Sequence, residues 1–140
     1  MNDVLRVVLD TNIIISSLSL KSPYRAIIDC FLEGKFNLFL SNEIMAEYEE
    51  KIRERYDQTT ADLFLDALSI SLNVYQIETF YKLRLIYPDM DDNKFVDCAF
   101  AANAHVLVTN DRDFNVLKTI EFPKINIMRL ETFLKFISTV

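Results

Sequence analysis

The sequence predicts an α/β sandwich with a mostly parallel sheet. Short apolar runs alternate along the chain with longer segments whose apolar residues recur at helical spacing, and this alternation is typical of strand–helix–strand units. The first run, "LRVVL", is rich in valine and leucine and ends at Asp10, as expected for a strand that is buried on both faces of a sheet. The 140 residues, of which 51% are hydrophobic, predict a single domain over residues 1–140.

Three helices and a second strand are predicted after this first strand. "DTNIIISSL" predicts a short helix with Thr11 and Asn12 as possible caps. "SPYRAIIDCFLEG" predicts a helix that begins near a proline and ends at the only glycine of the chain. "FNLFL" then predicts a strand, and Ser41 or Asn42 can cap the next helix, "EIMAEYEEKIRERY".

The second half of the chain continues the alternation. Thr59 or Thr60 can cap a helix over "TTADLFLDALSISL", and "NVYQI", "HVLVT" and "INIMRL" predict strands. "DDNKFVDCAFAANA" and "ETFLKFIS" predict the remaining helices. Ligands of parallel sheets bind beyond the carboxyl ends of the strands, so the residues that directly follow the strands are the first candidates for function.

Composition argues against several kinds of site. The chain has no Gly-rich phosphate loop or dinucleotide motif. Its only histidine, His105, enters a predicted strand and is more typical of a structural residue than of a catalytic base. Cys30 and Cys98 lie in predicted helices, which favours buried thiols over a disulfide or a zinc pair. No segment has the layout of a signal peptide or a membrane span, so we expect a cytoplasmic protein.

Acidic residues follow two of the predicted strands. Asp10 ends the first strand, and Asp111 comes shortly after "HVLVT". On the helix that begins at "DDNKF", a rotation of about 100° per residue places Asp92 on the face that packs against the sheet. Asp97 lies about 140° away from that direction. We therefore expect Asp92 to point toward Asp10 and Asp111.

A convergence of three acids predicts a bound cation. Taken singly, Asp89, Asp91 and Asp92 are more typical of ordinary helix caps. Acids that share one pocket repel one another and raise one another's pKa unless a cation is present. Mg²⁺ and Mn²⁺ prefer carboxylate oxygens, so the pattern predicts a site for one of these ions.

The role of Glu47 stays open at this level. Glu47 lies at the margin of the apolar stripe of its helix, and other glutamates lie close to the same side. Spacing alone favours a surface ion pair between Glu47 and Lys51.

Four stretches of the chain, in this order, resemble the PIN domain family, in particular its bacterial group of toxins from toxin–antitoxin pairs. They are "VVLDTNIIISSL", "LSNEIMAEYEE", "DMDDNKFVDCAFAANAHVLVTNDRDF" and "INIMRLETFLKF". The resemblance covers nearly the whole chain. It implies a three-layer sandwich with a five-stranded parallel sheet, and a Mg²⁺- or Mn²⁺-dependent endoribonuclease site built from about four acids.

The resemblance also implies roles for individual residues. By motif, the catalytic and metal-binding acids are Asp10, Glu47, Asp92 and Asp111. The residues that would support them are Asn12, Thr109, Asp97 and Asp113. Asp113 could share or replace the role of Asp111, or it could be a solvated cap before "FNVL". One or two metal ions would activate water for attack on RNA, which leaves 5′-phosphate and 3′-hydroxyl ends.

Net charge limits the kind of substrate. At −6, the chain lacks the basic balance of a nonspecific nucleic-acid binder, although bound divalent ions would offset part of this charge. Candidate RNA contacts are Arg112, Lys21 and Arg25. A selective, structured RNA fits this charge better, as does a basic surface supplied by a second subunit, and we expect a homodimer or higher homo-oligomer.

Two other functions stay open. The chain could be a catalytically weak PIN-like module that acts through a protein partner, or a phospho-receiver domain, although "FNLFLSN" lacks the phospho-accepting aspartate of that class. An antitoxin partner would lay a helix or an extended segment into an apolar groove. Aromatic residues could line such a groove, but core positions are more typical for Tyr24, Phe31, Phe64, Tyr75 and Tyr81.

Overall fold

The computed structural model describes residues 4–86 and 90–139. Its strands are Leu5–Leu9 (β1), Phe36–Leu40 (β2), Val74–Gln76 (β3), Val106–Val108 (β4) and Ile127–Met128 (β5). They form one five-stranded sheet in the order β3-β2-β1-β4-β5, and every neighbouring pair is parallel. The predicted fold class is therefore confirmed. The last strand is shorter than "INIMRL" suggested.

Helices connect these strands. They are Thr11–Ser17 (α1), Arg25–Leu32 (α2), Asn42–Arg55 (α3), Gln58–Ile70 (α4), Asn93–Ala101 (α5) and Leu130–Ile137 (α6). Two 3-10 helices are also present: Met90–Asp92 directly precedes α5, and Arg112–Thr119 follows β4. All of these helices are too short or too polar to cross a lipid bilayer, as far as the described residues show.

The central strand β1 is covered on both faces. Val7, Val8 and Leu9 are each no more than 1% exposed, and successive side chains of a strand point to opposite faces. Helix α5 contacts β1 and both of its neighbours, and α2 contacts β2. Burial of each such side chain stabilises the fold by about 1.5–3 kcal/mol, so the position of β1 is strongly fixed.

The helix caps differ in part from those predicted. Ser41 caps α3 as expected, since its hydroxyl accepts from the Ile44 N–H. Helix α4 is instead capped by Asp57, whose carboxylate accepts from the Thr60 N–H at 2.7 Å. The prediction of Thr59 or Thr60 as this cap was wrong because the helix begins earlier, at Gln58.

Helix α1 begins without a side-chain cap. Its N-cap position is Asp10, which makes no capping hydrogen bond, and Thr11 and Asn12 already belong to the helix. The prediction of Thr11 or Asn12 as caps was therefore wrong. The Thr11 hydroxyl donates to Glu47 instead.

Helix α3 is attached to the end of β1 by Tyr48. This side chain is fully buried, and its hydroxyl donates a hydrogen bond to the carbonyl oxygen of Leu9. The bond satisfies a polar group inside the core. It also brings Glu47, the neighbour of Tyr48, close to the carboxyl end of β1.

The cysteines and the histidine have structural positions. Cys30 and Cys98 are buried thiols, as predicted. The Nδ1 atom of His105 accepts a hydrogen bond from the Arg6 N–H at 2.8 Å. His105 thus supports the start of β4 beside β1.

Candidate active site

The carboxyl ends of β1 and β4 place Asp10 beside Thr109. Leu9 and Val108 are register partners, so the residues that follow them emerge next to each other. The Thr109 hydroxyl donates to the Asp10 carboxylate at 2.7 Å. Asp10 and Thr109 are both buried.

Burial gives Asp10 an unusual pKa. Removal from water raises the pKa of this carboxyl from 3.8 to about 6, although the hydrogen bond from Thr109 lowers it. The negative charges of Glu47 and Asp111 also raise this pKa, and the value of about 6 includes their effect. A cation near Asp10 would therefore be strongly favourable.

Thr109 also connects Asp10 to Asp111. Its hydroxyl oxygen accepts from the Asp111 N–H at 3.1 Å. The Asp111 carboxylate in turn accepts from the Asp113 N–H at 2.9 Å and caps the 3-10 helix that follows. The turn after β4 is thereby held in one conformation that presents both Asp111 and Asp113.

Asp92, Asp111 and Asp113 form an acid cluster. Each offers a carboxylate oxygen, and these oxygens all lie within 4.8 Å of one another. The three residues are half-buried. Oxygen ligands of one Mg²⁺ ion are about 2.1 Å from it and hence at most about 4.2 Å apart. Small side-chain rotations would close the difference, so these residues fit a hard divalent cation.

Glu47 faces this region from α3. Its carboxylate accepts from the Thr11 hydroxyl and lies 2.7 Å from the Lys94 ammonium nitrogen. The predicted surface pair of Glu47 with Lys51 is wrong, since Lys51 contacts Glu50 and Glu54. Packing of α3 against α1 and α5 turns Glu47 inward, which helical spacing alone did not show.

Lys94 was missed by the sequence reasoning. Its side chain is only 8% exposed, and its Nζ atom lies 2.9 Å from the Asp91 carboxylate as well as near Glu47. Burial lowers the pKa of Lys94, but the hydrogen bonds to Glu47 and Asp91 outweigh burial, so the pKa is raised overall. The Lys94 bond likewise lowers the pKa of Asp91. The only available signal was a lysine within the acid-rich start of a helix.

The sequence also matches a known protein family. The model of the PIN domain family matches residues 6–113 of the sequence. The chain belongs to the PIN domain family. The matched span contains all the acids described above, from β1 to the turn after β4. No curated protein matches the sequence.

Solved structures share the fold of this PIN domain. VapBC2 from Rickettsia felis, bound to a DNA fragment from its promoter, matches with a TM-score of 0.59 and 17% identity over 89% of this chain and 98% of that chain. FitAcB from Neisseria gonorrhoeae matches with a TM-score of 0.55 and 15% identity over the same shares. The PIN domain endonuclease Utp24 matches with a TM-score of 0.52 and 20% identity over 89% of this chain and 84% of that chain.

Asp97 lies on a different side of α5 of the PIN domain. It is buried, and its carboxylate accepts from the Leu83 N–H at 3.0 Å. Burial raises the pKa of Asp97, and the bond from Leu83 lowers it. Asn93, on the same helix, exchanges two hydrogen bonds with the backbone of Ile86. Asp97 and Asn93 thus attach the backbone at Leu83 and Ile86 to α5.

The remaining predicted polar residues lie at different distances from the acids. Asn12 is exposed on the first turn of α1, and Arg112 is exposed beside Asp111. Lys21 and Arg25 follow the opposite end of α1. Asp89 lies outside the described residues.

Arg25 takes part in a separate feature of the PIN domain. It forms an ion pair with Asp29 at 3.1 Å and donates to the Leu18 carbonyl. It also lines a cavity of about 580 Å³, the apolar groove, whose wall includes Leu20, Leu32, Tyr56, Leu63 and Phe64. Leu20, Leu32 and Leu63 are 81%, 54% and 65% exposed. The groove thus brings several exposed leucine side chains together on one surface.

The five aromatic residues divide between core and surface. Phe31 and Phe64 are buried, as predicted, and both also line the apolar groove. Tyr24 is half-buried. The prediction of core positions was wrong for Tyr75 and Tyr81, which are 44% and 70% exposed. Strand β3, which carries Tyr75, is at the edge of the sheet, and this explains its exposure.

Proposed function

We propose that this PIN domain is a Mg²⁺- or Mn²⁺-dependent endoribonuclease. The observation that carries the proposal is the acid cluster at the carboxyl ends of β1 and β4, where Asp92, Asp111 and Asp113 offer oxygens within 4.8 Å of one another. Asp10 adds a buried carboxyl whose pKa is raised to about 6. Such a concentration of acids is costly without a cation. The shared fold with the endonuclease Utp24 supports a nuclease.

The proposed roles follow from the positions of the acids. Asp10, Asp92, Asp111 and Asp113 would hold the ion, and Glu47 would complete the acidic site from α3. A divalent ion, when bound, polarises the scissile phosphate and activates water for attack on phosphorus. Water attack predicts products with 5′-phosphate and 3′-hydroxyl ends. Thr109 would hold Asp10 and Asp111 in place through its hydroxyl.

RNA would reach the site past three cations, of which Arg112 and Lys21 are exposed and Arg25 is partly buried. Arg112 is exposed beside Asp111, so we assign it to a phosphate next to the cleaved bond. Lys21 and Arg25 follow the other end of α1 and would contact a more distant part of a structured RNA. Contacts to phosphates are sensitive to salt. The net charge of −6 makes broad binding of any RNA unfavourable.

Cleavage of a labelled RNA tests the proposal. We expect the purified protein to cleave RNA in the presence of Mn²⁺ or Mg²⁺. Addition of EDTA should stop this cleavage, and the Asp10→Asn variant should be inactive. Asp66→Asn is the matched control, since Asp66 is exposed on α4. Equal cleavage by wild type and Asp10→Asn, or cleavage that persists in EDTA, would contradict the proposed mechanism.

A protein partner is the second part of the proposal. The apolar groove offers exposed leucines on a chain that resembles the toxin group of PIN domains, and the fold is shared with VapBC2 and FitAcB. We propose that the chain is the toxin of a type II pair and that its antitoxin binds in this groove. Co-expression with the neighbouring reading frame tests this. Binding that survives Leu63→Asp would place the partner elsewhere.

Self-association stays a prediction. A homodimer or higher homo-oligomer would add a second set of cations near each site, which suits an acidic nuclease. Light scattering at several protein concentrations measures it directly. A constant monomer mass would rule it out for the isolated chain.

A further inference from the structure

The acidic site contains a positive charge of its own, carried by Lys94. The Nζ atom lies 2.7 Å from a Glu47 oxygen and 2.9 Å from an Asp91 oxygen, and it donates to the Asp91 carbonyl at 3.0 Å. An ammonium group has three hydrogen-bond donors. These three contacts therefore use all of them, and the side chain is only 8% exposed.

The acids divide into two groups around this lysine. Asp92, Asp111 and Asp113 have oxygens within 4.8 Å of one another. Glu47 and Asp91 are instead joined by Lys94, although both adjoin the same region. Glu47 is further held by the Thr11 hydroxyl. The carboxylate oxygens of the first group are close enough together to bind a single metal ion. The carboxylates of the second group already have the Lys94 ammonium between them.

Two-metal nucleases hold their ions about 3.5–4 Å apart, each neutralising part of a shared set of carboxylates. A second divalent ion bound to Glu47 here would lie close to the Lys94 ammonium and be repelled by it. Because the Lys94 side chain is largely buried, solvent and salt weaken this repulsion less than they would at the protein surface.

We propose that Lys94 takes the place of a second metal ion, so that this site binds one divalent ion, at the acid cluster of Asp92, Asp111 and Asp113 together with Asp10. Lys94 is a positioning residue: it neutralises Glu47, fixes it against α1 and keeps it from ligating a second ion. The inference rests on the proposed function, because it concerns the same acids.

Metal stoichiometry of the full chain tests the inference. Titration with Mn²⁺ followed by calorimetry is expected to give one ion for the wild type and two for Lys94→Met, which keeps the length of the side chain and removes its charge. Lys94→Arg is expected to stay at one. Lys35→Met, at the opposite end of the sheet before β2, is the matched control and is also expected to stay at one.

Electron paramagnetic resonance gives a second measurement. Two Mn²⁺ ions held about 4 Å apart produce a spin-coupled spectrum, which we expect for Lys94→Met and not for the wild type. Adding Glu47→Gln to Lys94→Met is expected to restore the spectrum of a single ion.

The outcomes separate this inference from the proposed function. Two ions in the wild type together with RNA cleavage would overturn the role of Lys94 and leave the nuclease intact, and this result does not depend on any variant folding. One ion in a folded Lys94→Met would also overturn it. A wild type that binds no ion and cuts no RNA would overturn both.

Discussion

Thr109 donates a hydrogen bond to Asp10 at 2.7 Å across the β1–β4 pair, and the same hydroxyl accepts from the Asp111 N–H at 3.1 Å. One small side chain thus orients two acids that are about a hundred residues apart in sequence. Because the register of Leu9 with Val108 fixes both strands, this arrangement exists before any ligand binds. The acids are preorganised by the sheet.

Removal of this hydroxyl should weaken the site. Thr109→Val keeps the shape of the side chain but leaves Asp10 without its buried donor, which costs about 1–2 kcal/mol of unfolding free energy. We also expect Mn²⁺ affinity to fall by about tenfold, as for other groups that orient metal ligands. Urea unfolding and calorimetry measure the two effects. Thr109→Ser keeps the hydroxyl and should behave like wild type; an equal loss in both variants would contradict this role.

Asp10 should destabilise the metal-free protein at neutral pH. A carboxyl with a pKa raised from 3.8 to about 6 in the folded state binds more protons when folded, so stability falls as pH rises from about 4 to 6. The pKa difference corresponds to about 3 kcal/mol. Asp10→Asn cannot ionise and should be more stable than wild type at pH 7.5, by up to that amount, and nearly equal at pH 4.

Urea unfolding in EDTA at the two pH values checks this prediction. Addition of Mn²⁺ should stabilise the wild type and not Asp10→Asn, because binding to the folded state adds stability. Asp66 is on the surface of α4, so the difference in unfolding free energy between Asp66→Asn and the wild type should be the same at both pH values. If Asp10→Asn is less stable than the wild type at pH 7.5, the prediction is wrong, because the hydrogen bonds to the ionised Asp10 carboxylate then outweigh the cost of its burial.

Asp113 should matter for metal binding as much as Asp111. Both belong to the acid cluster, and we expect Asp111→Asn and Asp113→Asn each to lower Mn²⁺ affinity by at least about tenfold. Asparagine caps helices about as well as aspartate, so Asp111→Asn should retain its hydrogen bond from the Asp113 N–H and its stability. Calorimetry compares the two variants. If Asp113→Asn binds Mn²⁺ as tightly as the wild type does, Asp111 and not Asp113 is the metal ligand in this turn.

Tyr48 should contribute stability through its hydroxyl. Tyr48→Phe removes the donor to the Leu9 carbonyl inside the core, which should cost about 1–3 kcal/mol. Tyr56→Phe is a suitable control, since Tyr56 makes a similar bond to the Ile15 carbonyl from an exposed position and should cost less than about 0.5 kcal/mol. Denaturant unfolding of both variants measures the difference. Equal losses would mean that burial of the Leu9 carbonyl is unimportant.

The fold was predictable from the sequence because its signals are local. The five strands and six helices each carry their own pattern of apolar residues, and the runs "LRVVL" and "FNLFL" coincide with β1 and β2. The errors were at the boundaries. Asp57 was missed as a cap because Gln58 resembles neither a cap nor an apolar helix start.

The site was less predictable because it depends on packing between distant elements. A strand end is visible in the sequence, so Asp10 and Asp111 could be selected as candidates. The partners of Glu47 could not, since α3 must first pack on α1 and α5 before Thr11 and Lys94 come within reach. Helical spacing offered only Lys51, a neighbour on the same surface.

The apolar groove and the acids lie at opposite ends of α1, since Asp10 precedes its first residue and Leu18 and Leu20 follow its last. Substitutions in the groove should therefore alter binding of the proposed protein partner and leave the acids at the other end of α1 in place. One short helix thus separates the proposed partner site from the proposed catalytic site, and we expect that either could diverge without the other.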